Sequence, residues 1–111
     1  MCTFQNPTGR TLSLDRRQKV AELGSKYDAV ILEDDPYRDI RYSGSDLLRI
    51  KAFDETGHTL LANSFSKIFS PGSRLGYVLA SHEVMSRLFN AKTATNSHSS
   101  TIPQVICSKL K

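Results

Sequence analysis

The 111-residue sequence has little of what a disulfide scaffold, a metal site or a membrane protein requires. It has only two cysteines, Cys2 and Cys107, at opposite ends of the chain, an arrangement that favours free thiols in a reducing cytoplasm over a disulfide framework. Its three histidines show no metal-ligand spacing, and we predict no metal site. No apolar run is long enough to cross a bilayer, and no leader with an apolar stretch after basic residues opens the sequence. We therefore expect a soluble, cytoplasmic protein with no membrane partner.

Basic charge is in modest excess, because 15 Lys and Arg face 11 Asp and Glu for a net charge of +4. An excess of this sign can attract nucleic acid. Here the basic residues are scattered, only Arg16 and Arg17 are adjacent, and no aromatic residues interleave with them as a base-stacking surface requires. We therefore predict no nucleic-acid partner for this segment unless it is fused to a DNA-binding domain.

Apolar residues recur at helical spacing after residues 6–9, which form the first predicted turn of the chain. Val20, Leu23, Gly24 and Tyr27 fall at i, i+3, i+4 and i+7, and this spacing predicts an amphipathic helix over residues 14–26 with these four on its buried face.

The rest of the sequence alternates between strand and helix patterns. Residues 29–32 form a continuous apolar run with β-branched members, which is typical of a strand buried on both faces. Further strands are predicted at 59–64 and 75–80, and further helices near 82–94 and 102–110. The order predicts an α/β fold with a mostly parallel sheet flanked by helices, in which ligands bind at the carboxyl ends of the strands.

The most informative segment is residues 63–77, which read NSFSKIFSPGSRLGY. Lys67 is an amine flanked by hydroxyls, and a Ser-Pro-Gly-Ser turn brings Arg74 seven positions later. A lysine that forms an imine needs neighbours that hold it in place, and a phosphorylated cofactor needs a cation and hydroxyls around its phosphate. The segment meets both needs, although a single lysine after a strand is more often an ordinary surface residue.

Two segments upstream add further polar groups at predicted strand ends. Asp34 follows the apolar run, where its carboxylate can pair with a protonated heterocyclic nitrogen, and Tyr37 can donate to a phenolate oxygen on the same ring. The alternative for this acidic stretch is a solvated turn. Asn6 lies in an Asn-Pro-Thr-Gly turn that presents its amide from a rigid bend.

Taken together, these segments resemble the fold-type I, class I/II aminotransferases that use pyridoxal 5'-phosphate. Within that family they are most similar to the 2-aminoadipate and kynurenine type, which includes the aminotransferase-like half of MocR-type transcription regulators. The resemblance covers residues 2–106, with 28 positions from Asn6 to Asp34 and 33 from Asp34 to Lys67. It rests on the segments Gln5-Asn6-Pro7-Thr8-Gly9, Glu33-Asp34-Asp35-Pro36-Tyr37 and Ser64-Phe65-Ser66-Lys67, followed by Arg74.

The resemblance implies a role for each side chain at the cofactor ring. Lys67 would bind the cofactor covalently as an imine and, once released by substrate, act as the general acid and base. Asp34 would keep the pyridine nitrogen protonated. Asn6 and Tyr37 would hydrogen-bond the phenolic oxygen. Asp35 has no such role, and we expect it to be structural.

The resemblance also implies a phosphate site and a subunit contact. Ser64, Ser66 and Arg74 would hold the cofactor phosphate. Ser97 and His98 occupy the place where members of the family approach the site of the partner subunit.

Residues 1–111 would then form part of the large domain of such an enzyme. The family's phosphate-binding glycine/serine-rich loop precedes the Asn-Pro-Thr-Gly turn, and its substrate-carboxylate arginine comes from a small C-terminal domain. The resemblance therefore implies transfer of an amino group between an α-amino acid and a 2-oxo acid by a homodimeric protein, with no expected activity of this piece alone. The alternative is an effector-sensing domain of a MocR-type regulator, in which the same cofactor reports ligand binding.

Overall fold

Three helices and a three-stranded sheet form most of the regular structure in the computed structural model, which describes residues 1–110. These elements are α1 (Leu14–Lys26), β1 (Ile31–Asp34), β2 (Thr59–Ser64), β3 (Gly76–Leu79), α2 (His82–Asn96) and α3 (Thr101–Cys107). Short 3-10 helices lie between them at Arg38–Ile40, Ile50–Phe53 and Pro71–Ser73. The bounds predicted for α1 and β2 are confirmed, and the other predicted ends shift by up to three residues. Lys111, the last residue of the predicted domain portion, lies outside the described residues.

The sheet combines one parallel and one antiparallel pair of strands, in the order β1-β2-β3. β1 pairs with β2 in parallel, as predicted, whereas β3 runs antiparallel to β2. The connection from β2 to β3 covers only residues 65–75 and contains one short 3-10 helix. A parallel return normally needs a crossover of a dozen or more residues, usually through an α-helix, and this connection is too short for one. The parallel character is therefore limited to β1 and β2 in residues 1–110.

α1 covers only one face of the sheet, and its buried side is only partly the predicted one. Its buried residues are Arg17, Ala21 and Gly24, and Val20 packs against the core, whereas Leu23 and Tyr27 are exposed. The helix prediction is confirmed, but the buried residues lie along a line of the helix that begins with Arg17. Hydrophobic periodicity missed this line because a charged residue occupies one of its positions.

The prediction that the first strand is buried on both faces is wrong for the described part of the chain. Val30 is 72% exposed and Leu32 is 63% exposed, because alternate side chains point to opposite faces and α1 covers only one of them. The small core on the covered side consists of Cys2, Ala21 and Ile50. None of the helices in residues 1–110 has the length and apolar character needed to span a bilayer.

Asp54 secures the entry into β2. Its carboxylate accepts backbone hydrogen bonds from Gly57, His58 and Thr59 at 2.8–3.0 Å and a 2.9 Å bond from the Lys51 ammonium. Burial alone would raise the pKa of the Asp54 carboxyl. The bonds from Lys51 and from the backbone outweigh that effect and hold this pKa well below its ordinary value.

Replacement Asp54→Asn should lower the free energy of unfolding by about 2 kcal/mol at neutral pH, because the amide cannot accept as many charge-assisted bonds. The folded pKa is depressed. The ionic contribution is therefore complete above the unfolded pKa of about 3.9 and is lost as the pH falls through the folded value. The difference between the original chain and Asp54→Asn should shrink below about pH 4 in urea unfolding. Glu55→Gln, at an exposed neighbour, is the control. An equal effect of both changes would contradict this role.

Candidate functional site

Two of the predicted site residues end neighbouring parallel strands. Asp34 is the last residue of β1, and Ser64 is the last residue of β2. Since these strands are parallel, both residues lie at the same edge of the sheet. This is the edge at which ligands bind in open α/β sheets.

The turn that carries Asn6 lies against the segment after β1. The Asn6 side-chain amide donates to the Tyr37 hydroxyl over 3.4 Å, although the two residues are 31 positions apart. Gly9 supports the turn with a φ of +68°, a conformation that glycine adopts without strain, and the Asn6-Pro7 peptide is cis. The structure therefore brings together the two side chains predicted to bind one ring oxygen. They share a cavity whose wall is mostly apolar and includes Phe4 and Ile40.

Lys67 approaches Tyr37 from the segment that follows β2. It lies in the turn after the strand, where the backbone N–H groups of Phe69 and Ser70 donate to the carbonyl of Phe65. Its ammonium lies 5.4 Å from the centroid of the Tyr37 ring, within the range of a cation–π contact. Lys67 and Tyr37 therefore lie close together, and the Lys67 side chain remains exposed.

The predicted phosphate-binding side chains also converge. The Ser64 hydroxyl donates to the Ser66 hydroxyl at 2.9 Å and accepts a bond from the Ser66 backbone N–H at 3.2 Å. Arg74 follows the 3-10 helix Pro71–Ser73 in a left-handed conformation with φ +50°. Ser64, Ser66 and Arg74 line one cavity of about 210 Å³. Two hydroxyls and a guanidinium form a donor set that suits a phosphate.

Two residues that were not identified from the sequence, Asn63 and Tyr77, also hold the segment that carries Lys67. Asn63 donates to the Tyr77 hydroxyl at 3.1 Å, and its side-chain oxygen accepts from the Ser64 backbone N–H at 2.6 Å. The Phe65 and Tyr77 rings lie 5.9 Å apart. Asn63 and Tyr77 are partners across β2 and β3. This pair was not predictable without the antiparallel register.

Two carboxylates beside Asp34 are structural. Asp35 is fully buried and forms a 2.9 Å ion pair with Arg49, in agreement with the structural role expected for it. Glu33, in the acidic stretch for which a solvated turn was the alternative, is 2% exposed and accepts 2.9 Å bonds from the backbone N–H groups of Ile50 and Lys51.

The thiol of Cys2 donates to Glu33 at 3.0 Å. Burial, together with this carboxylate, raises the pKa of the Cys2 thiol to about 11, and the group stays protonated near neutral pH. Cys2 is therefore a packing residue, not a nucleophile.

Ser97 and His98 lie in the exposed link between α2 and α3. Their predicted place near a partner subunit stays a prediction. Within residues 1–110, no three His, Cys, Asp or Glu side chains group together as metal ligands would.

Gly76 lines the cavity of Ser64, Ser66 and Arg74 at a point where β2 and β3 approach closely. A Cβ at this position would lie 2.6 Å from the Asn63 carbonyl oxygen, and the two strands would have to separate. Gly76→Ala should therefore destabilise the chain by about 2 kcal/mol in urea unfolding. Gly72→Ala is the matched control, because its Cβ would meet only the Ser70 hydroxyl at 3.6 Å. If both changes cost less than about 0.5 kcal/mol, the close approach of the strands is not a constraint.

Comparisons with known proteins match the chain to aminotransferases and to a transcription regulator. The family model described as "Aminotransferase class I and II" matches residues 1–110. "Aromatic-amino-acid aminotransferase 1" of Thermococcus litoralis is 43% identical over 107 residues, which cover 96% of this chain and 26% of that protein. "Uncharacterized HTH-type transcriptional regulator YisV" of Bacillus subtilis is 36% identical, over 92% of this chain and 21% of the regulator.

A solved structure gives the same result for the fold. The kynurenine aminotransferase of Pyrococcus horikoshii, in complex with PMP, superposes with a TM-score of 0.90 at 40% identity, over 94% of this chain and 26% of that one. The chain thus spans about a quarter of the length of these aminotransferases.

Proposed function

The chain belongs to the class I and II aminotransferase family, and on that premise we propose that it carries the cofactor-binding half of a site for amino-group transfer. The cofactor would be pyridoxal 5'-phosphate, and the reaction would exchange an amino group between an α-amino acid and a 2-oxo acid. The observation that supports this most strongly is the convergence of Lys67 and Asn6 on Tyr37. Ser66, next to Lys67 in the sequence, lines the cavity formed with Ser64 and Arg74, which we call the phosphate cavity.

The hydrogen-bond donors of the site suit two parts of this cofactor, its phosphate and its phenolic oxygen. Ser64, Ser66 and Arg74 would hold the phosphate, because two hydroxyls and a planar guanidinium can donate to several of its oxygens at once. Asn6 and Tyr37, joined by their own hydrogen bond, would donate to the phenolic oxygen.

Two residues of the chain would then handle protons. When bound, pyridoxal 5'-phosphate acts as an electron sink that stabilises negative charge at the substrate α-carbon. The Asp34 carboxylate would hold a proton on the ring nitrogen by charge pairing. The Lys67 amine, once displaced from the cofactor by substrate, would take the proton from the substrate α-carbon as general base and deliver it as general acid to the imine carbon of the cofactor.

Substrate selection is proposed to depend on the rest of a larger protein, because this chain corresponds to a quarter of the aminotransferases it matches. We propose that the intact protein is a cytoplasmic homodimer and that this segment alone binds cofactor without turnover. The two free cysteines, both buried, are compatible with that compartment.

A second function is favoured by one observation, the 36% identity to a helix-turn-helix regulator. In that case the same residues would hold pyridoxal 5'-phosphate, and ligand binding would be transmitted to a DNA-binding domain instead of leading to product. An assay of the intact protein for a 2-oxo acid formed from an amino acid separates these functions, since only the enzyme gives repeated turnover.

The experiment that tests cofactor attachment uses the 111-residue chain itself. The chain is incubated with pyridoxal 5'-phosphate and reduced with borohydride, and the modified peptide is identified by mass spectrometry. We expect one dominant adduct on the peptide that contains Lys67. An adduct spread equally over the exposed lysines would contradict the proposal.

A further inference from the structure

We propose that Arg17 is a positioning residue that fixes the loop carrying Asn6 and thereby aims the Asn6 amide at the cofactor. Arg17 is fully buried on the inner face of α1, whereas its neighbour Arg16 is exposed. The effect of Arg17 on cofactor binding rests on the proposed function. The fixing of the loop by Arg17 does not depend on it.

The Arg17 guanidinium binds both ends of the loop. Its Nε donates to the carbonyl of Leu12 at 2.9 Å, and one Nη donates to the carbonyl of Cys2 and the hydroxyl of Thr3, both at 3.0 Å. The Leu12 backbone N–H donates to the Cys2 carbonyl at 2.8 Å, directly at the base of the loop. The other Nη donates to the carbonyl of Leu48 at 3.1 Å. One side chain therefore ties three separate backbone segments together.

Asn6 lies at the far end of the loop that these bonds close. Within the loop, the Gln5 N–H donates to the Arg10 carbonyl at 2.9 Å, and the Phe4 N–H donates to the Thr11 hydroxyl at 3.3 Å. Beyond this ladder the Asn6 amide reaches Tyr37 at 3.4 Å. A change at the base of the loop therefore alters the direction of the Asn6 amide.

The same base is joined to the strand that presents Asp34. Glu33, one residue before Asp34 on β1, accepts the Cys2 thiol on one side and the backbone of Ile50 and Lys51 on the other. Leu48, which accepts from Arg17, belongs to this second segment. Arg17 and Glu33 therefore fix the Asn6 loop and the end of β1 relative to each other.

Burial of the Arg17 guanidinium costs desolvation free energy, and its charge contributes nothing to the filling of space. Among residues 1–110, no carboxylate forms an ion pair with it, and its donors are used by three carbonyls and one hydroxyl. An apolar side chain of similar volume could fill the space, but it would leave the three carbonyls and the hydroxyl without their donor. A lysine cannot reproduce the contacts either, because a single ammonium lacks the planar fork with its separate donors. The fork geometry is therefore the property that suits Arg17 to hold the loop.

The test compares Arg17→Lys with Arg16→Lys, the same change at an exposed neighbour, and with Thr3→Val, which removes one acceptor and keeps the shape. Amide hydrogen exchange should accelerate at Gln5 and Leu12 by at least about tenfold in Arg17→Lys and by less in Thr3→Val. Exchange at Phe65, whose N–H donates to Leu75 at 3.0 Å in the Lys67 turn, should stay unchanged.

The second measurement separates positioning from general loosening. In Arg17→Lys the affinity for pyridoxal 5'-phosphate should fall roughly fivefold to tenfold, as expected for one misdirected hydrogen bond. The affinity for inorganic phosphate, followed through the amide signals of Ser64 and Ser66, should not change, because the phosphate cavity does not touch the loop.

Three results would overturn the inference: exchange that rises equally along the whole chain, equal losses of affinity for both ligands, or no difference from Arg16→Lys. If the unmodified chain bound neither ligand, the proposed function would fail. The exchange measurement would still decide whether Arg17 holds the loop.

Discussion

Replacement of Lys67 by alanine should abolish the borohydride-stable adduct with pyridoxal 5'-phosphate. Among residues 1–110, no other amine shares the combination present at Lys67: a turn that holds it, the Tyr37 ring at 5.4 Å, and a flanking Ser66 that lines the phosphate cavity. An aldehyde held by its phosphate in that cavity meets one amine at high effective concentration, and this advantage is lost with the amine. We expect the remaining labelling to fall to the level of a denatured chain.

Lys26→Ala is the matched control for this experiment. The Lys26 ammonium lies 5.2 Å from the Tyr27 ring, a cation–π arrangement close to that of Lys67 and Tyr37, but neither residue next to Lys26 lines the phosphate cavity. The adduct should be unchanged in Lys26→Ala, and millimolar inorganic phosphate should suppress labelling of Lys67 in the unmodified chain. Undiminished labelling in Lys67→Ala would remove this residue from the proposed site.

The features that sequence reasoning predicted well are local ones. The helix α1 and the strand β2 were predicted with their observed bounds, because hydrophobic periodicity and turn residues act over a few positions. The Lys67 turn and its Arg74 were found for the same reason, since eight consecutive positions contain both. The meeting of Asn6 with Tyr37 was expected from the family resemblance, which assigns both side chains to one ring oxygen.

The features that were missed depend on contacts between distant parts of the chain. The direction of β3 was not predicted, and with it the Asn63 and Tyr77 pair was missed. Arg17 appeared as part of a scattered basic charge, although it is fully buried, because a side chain shows its partners only when the loop and the helix are placed together. Leu32 was expected to be buried, but hydrophobicity alone does not say which face another element covers.

Replacement Arg49→Met should be among the most destabilising single changes on this side of the sheet, at a cost of about 3–5 kcal/mol. Asp35 is fully buried, and one of its carboxylate oxygens has no hydrogen-bond partner among residues 1–110. The other oxygen depends on the 2.9 Å ion pair with Arg49. Loss of Arg49 therefore leaves a charge without water or a counterion, and the cost is the desolvation of that carboxylate. Urea unfolding at neutral pH measures the effect.

The control is an ion pair of nearly the same length whose carboxylate is exposed. Arg41 and Asp46 also approach through Nε, at 3.0 Å, but the Asp46 side chain is 55% exposed, and Arg41→Met should cost less than about 1 kcal/mol. The double change Arg49→Met with Asp35→Asn should recover part of the lost stability, because it removes the buried charge that Arg49 compensates. If Arg49→Met costs no more than Arg41→Met, or the double variant is less stable than Arg49→Met, the buried carboxylate is not what Arg49 stabilises. Recovery in the double variant would instead make this pair a structural support immediately next to Asp34, the carboxylate proposed to face the cofactor.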